Sequence, residues 1–169
     1  LPSTMSQALR DNAAYHSRLI STISELDYVP SALKLQTSYV DDLQTRLEES
    51  QALLRKLSEA TKKERKEHES LRDSTTRRLA HKLTGRKDQF QAMATKEERE
   101  YVEALEKEYA ERDTYNLLVT MNEEAKREKA DLADKAIRYE ALKKELSDLY
   151  MLVFDGPTEG SSPLMRSIV

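Results

Sequence analysis

Two residues that break helices, Pro30 and Gly85, are the only prolines or glycines between residues 3 and 155. Around them, apolar residues recur at alternating spacings of three and four, the repeat by which helices pack along one face. At about 1.5 Å per residue, helices of this length reach roughly 75 to 100 Å. They need partners along that length, because most helical stability comes from packing an apolar face. The pattern predicts an all-α fold, an elongated antiparallel helical bundle or coiled coil of three helices.

The first predicted helix covers about residues 4–27 and follows Ser3 or Thr4, either of which can cap its N-terminus. It ends before Pro30, because a proline disfavours helical geometry in the residue that precedes it. The second helix covers about residues 32–84 and takes Ser31 as its cap.

Gly85 supplies the left-handed residue that ends a helix, so the second helix is expected to turn there into a third helix over about residues 88–154. The alternative is one unbroken helix through Gly85, since an internal glycine costs only about 1 kcal/mol. Residues 155–169 contain two glycines and two prolines and are expected to form a flexible tail after a single elongated domain, 1–154.

The heptad positions of these helices define the candidate seam. We expect the following residues to lie in it: Leu19, Ile23, Leu26, Val40, Leu43, Leu47, Leu54, Leu57, Leu118, Leu132, Tyr139 and Leu146.

A turn at Gly85 makes the second and third helices antiparallel and brings Leu54 opposite Tyr115. Helix one is expected to fold back after Pro30 along the apolar half of this pair. That arrangement gives a three-helix bundle from which residues 58–112 project as a two-helix arm.

The arm has few apolar residues and much charge. Residues 55–87 carry twelve Lys or Arg against five acids, and residues 97–113 carry eight acids against three bases. We expect these charges to pair across the arm, with Arg65 near Glu106. Each exposed pair contributes only about 0 to 1 kcal/mol, so the pairs set alignment more than stability.

Five basic residues crowd the predicted tip without matching acids: Arg77, Arg78, Lys82, Arg86 and Lys87. A solvated tip needs charge for solubility in any case. The functional alternative is contact with an anionic partner or lipid surface, in the manner of BAR-type membrane-binding modules.

The sequence contains no residue pattern that indicates a catalytic site. The chain has no cysteine and three histidines at no metal-binding spacing, and Gly85 stands alone, so no phosphate-binding loop is present. The net charge of −3 gives no bulk attraction to nucleic acid. We expect no enzyme activity, cofactor, metal or nucleic-acid partner.

Four segments carry a resemblance: NAAYHSRLISTISELDYVPSALKLQTSYVDDL, KKERKEHESLRDSTTRRLAHKLTGRKDQF, KEEREYVEALEKEYAERD and LVFDGP. Together they resemble a group of fungal coiled-coil proteins with no known activity, over most of residues 10–157. In that group an acidic continuation follows the Gly-Pro, whereas this chain continues through TEG to SSPLMRSIV. The resemblance implies a fungal, intracellular, helical protein and assigns no site residues.

The leading hypothesis is a non-enzymatic cytoplasmic scaffold that forms homo-oligomers or binds a protein partner through its coiled-coil surfaces. The alternative is a peripheral membrane-binding module that places the five basic residues on anionic lipid.

Overall fold

The computed structural model is all-α, as the heptad spacing predicts. It describes residues 4–79 and 87–154, and the side chains of residues 6–8, 10–70 and 96–154. Three helices, α1 (Thr4–Leu26), α2 (Val29–Leu79) and α3 (Lys87–Phe154), account for this part of the chain, which contains no strand. The expected turn at Gly85 and the tail 155–169 lie outside the described residues.

The junction between α1 and α2 is shorter than the sequence suggests. Only Asp27 and Tyr28 separate the helices, and α2 begins at Val29 rather than near residue 32. Pro30 is therefore the second residue of α2, with Ser31 inside the first turn rather than at a cap. A proline is tolerated there because the first N–H groups of a helix have no intrahelical acceptor. The Ala32 N–H already donates to the Tyr28 carbonyl at 3.0 Å.

The chain divides into two compact units, which are described separately. Unit 1 takes its described residues from Leu1–Thr37 and Arg127–Val169, and unit 2 is Ser38–Lys126. Unit 1 therefore holds α1, the start of α2 and the end of α3, while unit 2 holds most of α2 and the first part of α3.

In unit 1, α1 runs antiparallel to the end of α3. Leu19 is buried with Leu149 and Val153, and nearer the junction Leu26 and Val29 are buried with Tyr139. The expected fold-back of helix one onto helix two is therefore not what forms: α1 pairs with α3. The end of α3 has an apolar stripe that needs a partner helix, and α1 carries the stripe that covers it.

The apolar stripes of unit 1 each contain one irregular step, and the two steps lie at the same level. The stripe of the first two helices passes from Leu26 to Val29, three residues where the heptad repeat needs four. On α3 the stripe passes from Tyr139 to Leu142 in the same way, and these four residues share one cluster. A three-residue shift overwinds a coiled coil locally, so matching shifts keep both stripes facing each other past Pro30.

In unit 2, α2 and α3 are antiparallel, as expected, but in a different register. The core is a cluster of Val40, Leu43, Leu118 and Ala125, with Leu47 and Met121 packed against it. The hydrogen-bonded pairs between the helices are Gln44 with Asn122, Ser50 with Glu111 and Thr61 with Ala104. The partners on α3 lie about one to three turns earlier than a fold symmetric about Gly85 places them.

Candidate functional site

The predicted seam residues lie at the contacts between helices in both units. Buried are Leu19, Leu26, Val40, Leu43, Leu118, Leu132 and Tyr139; half-buried are Ile23, Leu47, Leu54, Leu57 and Leu146. Among the described residues, seven further buried positions are not in the expected set: Val29, Ser50, Thr61, Asn122, Ala125, Leu149 and Val153. Val29 could have been found from its spacing, three residues after Leu26 and four before Leu33.

The predicted anionic-partner residues cannot be placed in a site. The side chains of Arg77, Arg78 and Lys87 lie outside the described residues, and so do Lys82 and Arg86 entirely. The lipid-contact prediction therefore stays a prediction.

An apolar groove lies between α1 and the end of α3 in unit 1. It has a volume of about 380 Å³ and is lined by Asn12, Ala13, His16, Leu149, Tyr150, Val153 and Phe154. Its rings are in mutual contact: His16 Nε2 lies 2.9 Å from the Tyr150 hydroxyl, and the Tyr150 and Phe154 rings are 6.0 Å apart. Tyr150 and Phe154 remain 41% and 49% exposed, so one side of this aromatic wall faces solvent.

Two tyrosines tie the helices of unit 1 together at the edges of the seam. Tyr15 donates to Glu145 Oε2 at 2.9 Å, and Tyr139 donates to Asp27 Oδ1 at 2.9 Å. Each hydrogen bond to a carboxylate stabilises the protonated hydroxyl and raises the pKa of its tyrosine. These bonds fix the level at which α1 lies along α3.

The seam of unit 2 becomes polar away from its apolar cluster. Thr61 is buried and donates to the Leu57 carbonyl at 2.9 Å and the Ala104 carbonyl at 3.3 Å. Ser50, also buried, donates to Glu111 Oε1. These bonds hold the two backbones together where large apolar residues are missing.

Further along this seam, aromatic stacking joins α2 to α3. The His68 and Tyr101 rings stack at 5.8 Å with an interplanar angle of 2°. Arg65, expected near Glu106, interacts with Tyr101 and more weakly with Glu108 on α3; the hydrogen bond to Tyr101 is the main cause that raises the pKa of Arg65. In the described part of the chain, ion pairs join residues three or four apart on one helix, such as Lys63 with Glu67, and each contributes little to stability.

Three carboxylates converge in the same part of unit 2. One oxygen from each of Glu64, Glu67 and Glu97 lies within 4.8 Å of the other two. The Oε2 atoms of Glu64 and Glu97 are buried and have no hydrogen-bond partner. Ca²⁺ and Mg²⁺ require about six oxygen ligands, of which three carboxylates bound through one oxygen each supply half. The cluster belongs to the polar seam and is not assigned as a metal site.

A second groove follows the side of unit 2. It has a volume of about 460 Å³, and its apolar walls are Leu53, Leu117, Leu118 and Met121. Leu53 and Leu117 remain 45% and 61% exposed. Arg46, Glu49 and Glu111 line the same groove, so its rim is charged.

Further large apolar side chains are exposed away from the seams. In unit 1 these include Ile20, Tyr28, Leu35, Ile137, Met151 and Leu152, and in unit 2 Tyr39, Val102 and Tyr109. Exposed apolar residues are ordinary when they are isolated. The exposed apolar residues that line the two grooves are Tyr150, Phe154, Leu53 and Leu117, which makes the helix faces beside the seams the candidate interaction surfaces.

The described helices contain no stretch of sufficient length and apolar character to cross a membrane. Searches of protein-family models, curated proteins and solved structures found no match to the chain.

Proposed function

We propose that the chain is a non-enzymatic coiled-coil scaffold that binds protein, either a second copy of itself or another protein, through the exposed apolar faces of its helices. The observation that carries this proposal is the end of α3. Tyr150, Met151, Leu152 and Phe154 are each at least 41% exposed, while Val153 among them is buried against α1.

A helix that is apolar on all sides is normally covered on all sides. The pairing with α1 covers only one face of this segment. The remaining exposed apolar surface is on the order of several hundred Å², which is at the upper end of what a monomer leaves uncovered. Covering it with a partner protein would stabilise the complex by about 25 cal/mol per Å² before the costs of association.

The absence of a catalytic function is supported by sequence and by contacts. The chain has no cysteine and no glycine-rich phosphate loop. His16 and His68 are both engaged with tyrosine rings at the edges of seams, and His81 lies outside the described residues.

The test is capture of partner proteins on the immobilised full chain, with a variant that carries Met151→Ser and Leu152→Ser as comparison. Both side chains are more than half exposed, so the variant keeps the α1–α3 seam. The proposal predicts that self-association or capture of a defined protein decreases in the variant. The proposal is contradicted if the wild-type chain remains monomeric and captures no protein that the variant fails to capture.

A further inference from the structure

The outer face of α1 differs from the rest of the chain in charge and in side-chain size. Only four of the 23 residues of α1 are Asp, Glu, Lys or Arg, against 35% in the whole chain. Six exposed residues share the side of the helix that faces away from α3: Ala13, Ala14, Ser17, Ile20, Ser21 and Ser24. All six are uncharged, and all are small except Ile20, whose large apolar side chain is 40% exposed.

The groove of unit 1 borders this face. Ala13 belongs to both, and the exposed rings of Tyr150 and Phe154 form the far wall of the groove. The face therefore presents one large apolar side chain, Ile20, and seven residues earlier a recess floored by Ala13. The two lie about 10 Å apart along the helix.

We propose that this face binds a second copy of the chain, with the two α1 helices antiparallel and Ile20 of each copy seated in the groove of the other. This proposal rests on the scaffold function and specifies its partner. A two-fold interface requires a surface that is complementary to itself. An antiparallel arrangement centred on residue 17 provides this, because it brings Ile20 of one copy opposite Ala14 of the other, one residue from Ala13.

The charges at the two ends of the face give a second, independent reason to choose a second copy. Arg10 and Glu25 are exposed, and among the described residues neither has a hydrogen-bond or ion-pair partner. In the same antiparallel arrangement, Arg10 of each copy lies opposite Ser24 of the other, which is one residue from Glu25 and within reach of a long side chain. The pairing is thus complementary in both size and charge, with two equivalent ion pairs at its ends.

The size of the face sets the expected affinity. The 23 residues of α1 span about 35 Å, and a helix is about 10 Å wide. The contact then covers roughly half of the ~800 Å² per partner that is typical of stable complexes. We therefore expect a dimer that dissociates on dilution through the micromolar range.

The test is sedimentation equilibrium of the full chain over a concentration series, with four variants. Ile20→Glu should weaken the dimer about tenfold or more, as expected for a central anchor residue. Arg10→Glu and Glu25→Arg should each weaken it, and the double variant Arg10→Glu with Glu25→Arg should recover it, because both ion pairs reform with reversed sign.

Ile137→Glu is the matched control, since Ile137 is 71% exposed on α3 and away from the face; its dissociation constant should equal that of the wild type. The proposal is overturned if the wild type is monomeric throughout, if Ile20→Glu dimerises as the wild type does, or if the double variant does not recover. A dimer unaffected by Ile20→Glu, or protein capture by a monomeric chain, leaves the scaffold function standing and this interface refuted.

Discussion

Asn122 is a buried polar residue in the seam of unit 2, and its replacement by leucine should stabilise the protein. Asn122 is 5% exposed and occupies the position between Leu118 and Ala125, both in the apolar cluster. Its amide nitrogen donates to Gln44 Oε1 over a long 3.4 Å, and its Oδ1 has no hydrogen-bond partner. The residue therefore lost its hydration on folding and regained only one weak bond.

The magnitude follows from these contacts. A buried amide oxygen without a partner costs about 1 to 3 kcal/mol, and a buried leucine contributes about 1.5 to 3 kcal/mol. Imperfect packing of the branched side chain offsets up to about 1 to 3 kcal/mol of this. Gln44 is half-buried and keeps its bond to Glu48, so it loses little. We expect Asn122→Leu to raise the free energy of unfolding by about 1 to 3 kcal/mol.

The assay is urea unfolding followed by circular dichroism at pH 7. With a dependence on urea of about 1 to 3 kcal/mol per molar, the midpoint should rise by on the order of 1 M. Asn116→Leu is the matched control, because Asn116 is exposed on the same helix, and it should change the free energy by less than about 0.5 kcal/mol. A midpoint for Asn122→Leu that is unchanged or lower would show that Asn122 is better satisfied than its contacts indicate.

Three further predictions test other parts of the account. Leu43→Ala, at a side chain only 1% exposed, should lower the free energy of unfolding by about 2 to 5 kcal/mol, while Leu35→Ala, at a side chain 73% exposed, should change it by less than about 0.5 kcal/mol in the same urea assay. The hydrogen bond to Asp27 raises the pKa of Tyr139 in the folded protein. The stabilisation from this bond is therefore complete below the unfolded pKa of about 10 and is lost as pH rises through the folded pKa. Tyr139→Phe should remove this part of the loss of stability at alkaline pH, whereas Tyr109→Phe, at a ring 61% exposed, should retain it. If the protein is a scaffold, the wild type should stay in the supernatant when it is centrifuged with anionic liposomes at low salt. If the wild type sediments with the liposomes and the substitutions Arg77→Glu and Arg78→Glu abolish this sedimentation, the membrane alternative is favoured instead.

The helical class was predictable because the spacing of apolar residues records which face of each helix is covered. The stripe through Leu19, Leu26, Val40 and Leu43 can be read from the chain without knowing the partner helix, and each of these residues is buried. Pro30 and Gly85 are the only helix-breaking residues between residues 3 and 155, so few alternatives to long helices exist.

The prediction that the chain reverses at Pro30 is wrong, because α1 packs against the end of α3. A proline in the first turn of a helix needs no reversal. The information was nevertheless present: the step from Leu26 to Val29 keeps the stripe on one face through the junction. The matching step from Tyr139 to Leu142 identifies which part of α3 that face meets.

The predicted register of unit 2 comes from a turn centred on Gly85, and the charges on the two helices do not correct it. Exposed charges are attracted to many positions with nearly equal energy, so opposite charge totals on two helices do not fix their alignment. The alignment is fixed by shorter-range contacts, such as Thr61 with the Ala104 carbonyl and His68 stacked on Tyr101. Thr61 and His68 continue the heptad spacing of α2, but that spacing does not identify the residue of α3 that each one meets.

The sequence does not predict which apolar residues remain exposed, for a different reason. Residues such as Tyr150 and Ile20 are apolar like the seam residues. Spacing alone does not show which side of a helix stays exposed when only one partner helix packs against it. The groove beside Ala13 exists only once α1 and α3 are paired.

The pairing of α1 with the end of α3 is the claim on which the groove and the proposed dimer depend, and a distance between spin labels tests it directly. The chain has no native cysteine, so Ser17→Cys and Ser147→Cys, both at exposed positions, can be labelled cleanly and diluted with unlabelled protein to suppress distances between copies. Antiparallel pairing at the level set by His16 and Tyr150 predicts backbones about 10 Å apart, the usual spacing of packed helices. A backbone separation of about 30 Å, which follows from the rise per residue if α1 folds back onto α2, would contradict the account.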